Sequence, residues 1–131
     1  MPARSEYVLD STALIALVTL EPGHRTVEEM LDRATISAVN LAETIHKLVQ
    51  KGSTPRVTEA LLRQLDLDVV DWSQDMAYRS AEFAVLGKSH GLSFGDRACL
   101  TLAKQLGATA VTADLAWRKV PSLSVPVLIF R

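Results

Sequence analysis

The stretch Tyr7-Val8-Leu9-Asp10-Ser11-Thr12-Ala13-Leu14-Ile15 decides how the chain is read: an apolar, strand-like run stops at a carboxylate, and a Ser/Thr pair then opens an apolar helical pattern. Asp10 therefore marks a strand-to-helix junction. In open parallel sheets, ligands gather where the carboxyl ends of strands meet helix N-termini, so an acid ending the first strand points to a functional crevice. Asp is also an ordinary turn and N-cap residue, and for Asp10 alone that explanation suffices. The weight falls on whether other acids occupy equivalent junctions.

Outward from this stretch, Leu14, Ile15, Leu17 and Val18 carry a helical pattern to the breaker Glu21-Pro22-Gly23, and Val27, Met30, Leu31 and Ala34 space the buried face of a second helix. Thr35-Ile36-Ser37 reads as a short strand. Leu41, Ile45, Leu48 and Val49 then mark a helix ending at Gly52. Thr54-Pro55 opens another helix, with Val57, Leu61 and Leu65 inward, and Leu67 to Trp72 reads as the next strand. Ala77, Ala81, Ala84 and Val85 predict one helix up to Gly87 or Gly91. Ser93-Phe94-Gly95-Asp96 opens a further helix closed by Gly107. Ala110-Val111-Thr112 and Val125 to Phe130 supply the last strands. Strands alternate with helices, and hairpin signals between strands are missing. The pattern predicts a three-layer α/β fold with a central parallel sheet of about five strands flanked by helices.

The chain of 131 residues, 48% apolar, is long enough to bury a core and has no repeat or linker-like tract, so residues 1–131 are expected to form a single domain. No stretch has signal-peptide or membrane-span character, which predicts a cytoplasmic protein. The single cysteine, Cys99, sits in a helical apolar pattern as a structural thiol. A formal charge of −1 gives no global basic field, so nucleic-acid binding would rely on local cations or on metal ions facing phosphates. His24, His46 and His90 lack ligand spacing and read as surface residues. Asp10-Ser11-Thr12-Ala13 has no glycine for a dinucleotide or P-loop turn, and no Gly-x-Ser-x-Gly elbow occurs. A phospho-accepting receiver domain would use Asp71 but want a lysine where Thr112 stands.

Three further acids fall at junctions: Glu43 in the helix after the second strand, Asp96 opening the helix before the fourth, and Asp114 just after the fourth. Each has a local explanation. Glu43 suits a solvated face or an Asn40-x-x-Glu43 capping box, Asp96 a Ser93-x-x-Asp96 box, and Asp114 the cap of a short helix. Taken together, acids gathered on one side of a parallel sheet repel one another unless a cation neutralises them. All-oxygen ligands suit Mg²⁺ or Mn²⁺, which leaves positions for water or a substrate phosphate. A polyanionic substrate and phosphodiester chemistry follow.

Four blocks in this order, Val8-Leu9-Asp10-Ser11-Thr12-Ala13-Leu14, Ser37-Ala38-Val39-Asn40-Leu41-Ala42-Glu43, Leu92-Ser93-Phe94-Gly95-Asp96-Arg97-Ala98-Cys99-Leu100 and Val111-Thr112-Ala113-Asp114, resemble PIN-domain ribonucleases. Within that family the chain resembles the VapC toxins of toxin–antitoxin pairs over nearly its whole length. The resemblance implies a PIN-like fold and metal-dependent endonucleolytic cleavage of RNA, leaving 3′-hydroxyl and 5′-phosphate ends. It makes Asp10, Glu43, Asp96 and Asp114 the acidic quartet that holds Mg²⁺ or Mn²⁺, with Ser11, Asn40 and Thr112 as supporting residues. It further implies a transfer or ribosomal RNA target, a VapB-like antitoxin and a homodimer. Arg97, Arg118 and Lys119 are candidate phosphate contacts. A housekeeping RNA-processing nuclease and a non-catalytic module binding RNA or protein are the alternatives.

Overall fold

The computed structural model describes residues 5–131. Five parallel strands, β1 (Tyr7–Leu9), β2 (Ala34–Ser37), β3 (Asp68–Val70), β4 (Thr109–Thr112) and β5 (Val127–Ile129), form one sheet in the order β3-β2-β1-β4-β5. Helices α1 (Ser11–Thr19), α2 (His24–Met30), α3 (Ala38–Gln50), α4 (Pro55–Arg63), α5 (Gln74–Arg79), α6 (Ala81–Gly87) and α7 (Phe94–Leu106) make the crossovers. Parallel strands require crossovers, and helices on both faces bury the central strands β1, β2 and β4, whose polar members include Thr35, Ser37 and Thr112. One core packs Val8, Ala110, Phe83, Leu100 and Trp117 together, and the other packs Leu9, Ile36, Val111, Leu14 and Phe130. This is the three-layer α/β architecture that the alternation predicts. Among the described residues no helix is long and apolar enough to cross a membrane.

Since β1 pairs with β2 on one side and β4 on the other, the chain reverses its direction of winding at β1. The crevice at such a switch point opens at the carboxyl end of β1, where Asp10 lies.

Several local expectations are corrected. Helix α2 ends at Met30, a 3-10 turn spans Leu31–Arg33, and Ala34 is the first residue of β2, paired with Tyr7. A buried alanine serves a helix face and a buried strand equally, so spacing could not assign it. In α4 the buried residues are Thr58 and Leu62, while Val57 is 59% and Leu61 39% exposed. The Thr58 hydroxyl lies 2.8 Å from both Ser53 Oγ and the Thr54 carbonyl, so its polarity is met locally and it can face inward. The expected fifth helix is two, broken at Ser80, and it buries Met76 and Phe83 while Val85 is exposed. Hydrophobic bulk, rather than the alanine spacing, chose that face.

Candidate active site

Asp10 is the N-cap of α1: its Oδ1 accepts from the Ala13 amide at 3.0 Å, and its own amide donates to the Val111 carbonyl. Two threonine hydroxyls complete its surroundings. Thr12 Oγ1 donates to Oδ1 at 2.6 Å and Thr112 Oγ1 to Oδ2 at 2.5 Å. Each hydroxyl also accepts from the loop after β4, Thr12 from the Ala113 amide and Thr112 from the Asp114 amide, both at 3.0 Å. Those amides can only donate, so each hydroxyl proton is directed to Asp10. The result is a two-sided clamp that fixes the carboxylate plane and ties the end of β1 to the end of β4. Asp10 is nonetheless only 4% exposed, and burial pushes its carboxyl up to about 6 against the lowering effect of these hydrogen bonds, with the Asp96 charge adding to the rise.

Asp96 lies in the first turn of α7. Its Oδ2 accepts from the Ser93 amide at 2.9 Å while Ser93 Oγ accepts from the Asp96 amide at 3.1 Å, a complete capping box. The local explanation is thus realised, and it does not exhaust the residue. Burial raises the Asp96 carboxyl, the Ser93 hydrogen bonds oppose the rise, and the charges of Asp114 and Glu43 add to it. Acids from three other elements therefore act on Asp10 or Asp96.

Glu43 reaches this region from α3. That helix begins at Ala38 with Ser37 as its N-cap, so the Asn40-x-x-Glu43 box is not formed. Asn40 instead sits inside the first turn, buried, and its Nδ2 donates both to Glu43 Oε1 at 2.9 Å and to the Gly95 carbonyl at 3.0 Å. Asn40 Oδ1 is buried without a partner. The Glu43 carboxyl lies against the Cα of Gly95. Asp114, exposed, caps the short 3-10 turn Leu115–Lys119 by accepting from the Ala116 amide.

Two residues here escaped the sequence reading. Thr12, rather than the buried Ser11, supplies the hydroxyl that reaches Asp10, and Gly95 forms the floor under Glu43. A second hydroxyl after the capping acid was the available signal for Thr12; Gly95 had none, because its contact spans 52 positions of sequence. Among the phosphate candidates, Arg97 Nη1 donates to the Leu92 carbonyl, which ties it to the loop before α7, while Arg118 and Lys119 are exposed. Cys99 is fully buried and its thiol lies 3.7 Å from the Val8 carbonyl; burial, with the neighbouring acids, pushes it well up, so it stays protonated. His46 is exposed, and His24 and His90 are half-buried.

Oxygen donors of this kind match a hard divalent cation in chemistry. Among the described residues no three acidic, histidine or cysteine side chains converge on a common point, since Asp96 and Asp114 are turned back onto their own helix starts.

The PIN domain family model matches residues 7–123. The chain belongs to the PIN-domain family. No curated protein sequence matches it significantly. Solved structures with the same fold include DNA-bound VapBC from Salmonella typhimurium, with 17% identity and a TM-score of 0.76 over 97% of this chain and 99% of that one. FitAcB from Neisseria gonorrhoeae shares 21% identity at a TM-score of 0.71, covering 93% and 96% of the two chains. VapC20 from Mycobacterium tuberculosis, a Sarcin-Ricin loop cleaving toxin, shares 18% identity at 0.65, covering 79% and 86%. At these identities the likeness is one of fold. The PIN fold places Asp10 at the switch point of its sheet, with the other three acids on the segments around it.

Proposed function

We propose that this PIN domain, residues 1–131, is a divalent-metal-dependent endoribonuclease and the toxin of a VapBC-type pair, held inactive in the cytoplasm by a VapB-like partner. The observation that carries this reading is the nearness of acids from separate elements: the Glu43 carboxyl lies against Gly95, the residue before Asp96, and the Thr112 hydroxyl that binds Asp10 also binds the Asp114 amide. Like charges brought together, one of them on the buried Asp10, lower stability unless a counter-charge is present, which supports a cation-binding role. RNA as substrate is supported by the activity named for the VapC20 structure, and the protein partner by the VapBC complexes of the same fold.

In this reading Asp10, Asp96 and Asp114 would hold Mg²⁺ or Mn²⁺ through the carboxylate oxygens that their helix caps leave free, with Glu43 beside them. The bound cation would neutralise the crowded acids and polarise the scissile phosphate. The threonine clamp and the Ala13 amide keep Asp10 in one orientation, leaving the second lone pair of Oδ2 as the donor. Glu43, anchored by Asn40, accepts a hydrogen bond from the attacking water and orients it in line with the leaving 3′-oxygen. Water adds to phosphorus, the P–O3′ bond breaks with its electron pair going to the 3′-oxygen, and the proton that the water gives up is taken up by that oxygen, giving 3′-hydroxyl and 5′-phosphate ends. Arg118 and Lys119, exposed just after Asp114, are assigned to flanking phosphates, with Arg97 in a structural role first. A homodimer is the proposed assembly.

Purified protein is expected to cleave transfer or ribosomal RNA with Mg²⁺ and not in chelator, and Asp96→Asn is expected to lower cleavage at least about 100-fold with the fold intact. An Asp96→Asn protein cleaving at the wild-type rate would overturn the assignment. Growth arrest on expression, relieved by the adjacent small reading frame, tests the toxin part; unimpaired growth at soluble levels of active protein favours a processing nuclease.

A further inference from the structure

We propose that Gly95 is a positioning residue for this site: the absence of a β-carbon there seats the Glu43 carboxylate against the first turn of α7, next to Asp96. The proposal rests on the role given to Glu43 above. A β-carbon built at position 95 falls well inside 3.0 Å of Cδ, Oε1 and Oε2 of Glu43, and of no other nearer group. With the carboxylate seated on that Cα, any residue other than glycine at 95 requires the carboxylate to move.

Local structure does not ask for glycine. Gly95 is the second residue of α7, without a left-handed φ, and there too alanine is the better helix former, by less than in a helix interior. Gly95 is also buried, where an added methyl would ordinarily gain contacts. Glycine therefore costs stability at this place, and the Glu43 carboxyl is what occupies the space gained. Asn40 closes the arrangement by donating from one nitrogen to Glu43 Oε1 and to the Gly95 carbonyl, so the acid of α3 and the backbone of α7 are held in register. A side chain at 95 would push the carboxylate off this seat while leaving Asn40 bound to the carbonyl. The acid would then be present and misplaced, and displacements of about 1 Å at a reacting centre are enough to cost about 100-fold in rate.

The test combines turnover with melting of four proteins: wild type, Gly95→Ala, Glu43→Ala and the double variant. In Mg²⁺, Gly95→Ala is expected to lower kcat for RNA cleavage at least about 10-fold while KM stays within about 2-fold, because RNA contacts are untouched. In chelator, Gly95→Ala is expected to lower Tm in the wild-type background and to raise it by about 2–5 °C in the Glu43→Ala background, where helix propensity acts without the clash. The melting arm needs no catalysis, and the double variant keeps the test valid if the single one folds poorly. Wild-type kcat in Gly95→Ala, or an equal fall of Tm in both backgrounds, would overturn the proposal. A wild-type protein that does not cleave RNA would overturn the nuclease reading instead, and the melting cycle would still decide whether Glu43 is the group that excludes a side chain at 95.

Discussion

At the scale of single residues, Asp10 combines two opposed demands. Burial favours its neutral form, while two hydroxyls and an amide all donate to it and favour the charged form. Burial prevails, and the folded carboxyl titrates at about 6 against 3.8 for the unconstrained group. Between these values the folded state holds a proton that the unfolded state has released. Metal-free stability is therefore expected to fall as pH rises from about 4 to about 6 and to level off above, a loss of about 3 kcal/mol from this group. Asp96, raised in the same direction, adds to the slope. Urea titrations in chelator across this range check the sign; stability increasing from pH 4 to 6 would contradict it. Thr112→Val removes the largest hydrogen-bonding influence that lowers Asp10, so the midpoint of this transition should move to higher pH.

At the scale of elements, α4 separates amphipathic spacing from actual burial. The spacing of Val57, Leu61 and Leu65 describes a plausible inner face, yet Leu62 is 4% exposed and Val57 59%. Leu62→Ala is expected to cost about 2–4 kcal/mol, since a buried leucine loses transfer energy and leaves a cavity. Val57→Ser is expected to stay within about 0.5 kcal/mol. Urea midpoints at unchanged m-value measure both, and the reverse order would restore the face read from spacing. Helix α7 behaves differently: Ser93, Asp96 and Gly107 bound it as the sequence indicates, because its capping box and left-handed glycine are satisfied within one turn of chain.

At the scale of the whole molecule, the proposed site predicts that repulsion between its acids lowers stability until a cation relieves it. Mg²⁺ should stabilise the wild type by mass action, about 2.7 kcal/mol at a free concentration 100 times its Kd. Asp96→Asn keeps a side-chain oxygen for the Ser93 amide, so it should be more stable than wild type in chelator, by about 1 kcal/mol, and respond much less to Mg²⁺. If Asp96 served only its capping box, the variant would lose the favourable helix-terminal charge and Mg²⁺ would not distinguish the two proteins. Thermal melts of both, in chelator and in excess Mg²⁺, separate these outcomes.

Alternating apolar runs, caps and breakers sufficed for the layered parallel fold, for the strand-to-helix junction at Asp10 and for the ends of α7, because each depends on backbone preferences and hydrogen bonds spanning a few residues. The positions of the four acids at junctions between elements were also legible, through their recurrence along the chain and the four blocks that carry the family resemblance. The order of the strands, the face that α4 buries, the use of Thr12 instead of Ser11 and the contact between Glu43 and Gly95 depend on packing between elements far apart in the chain. A hydroxyl or a missing β-carbon has the same local propensity wherever it faces, so only the tertiary arrangement of α1, α3, α7 and β4 decides which of them meets an acid.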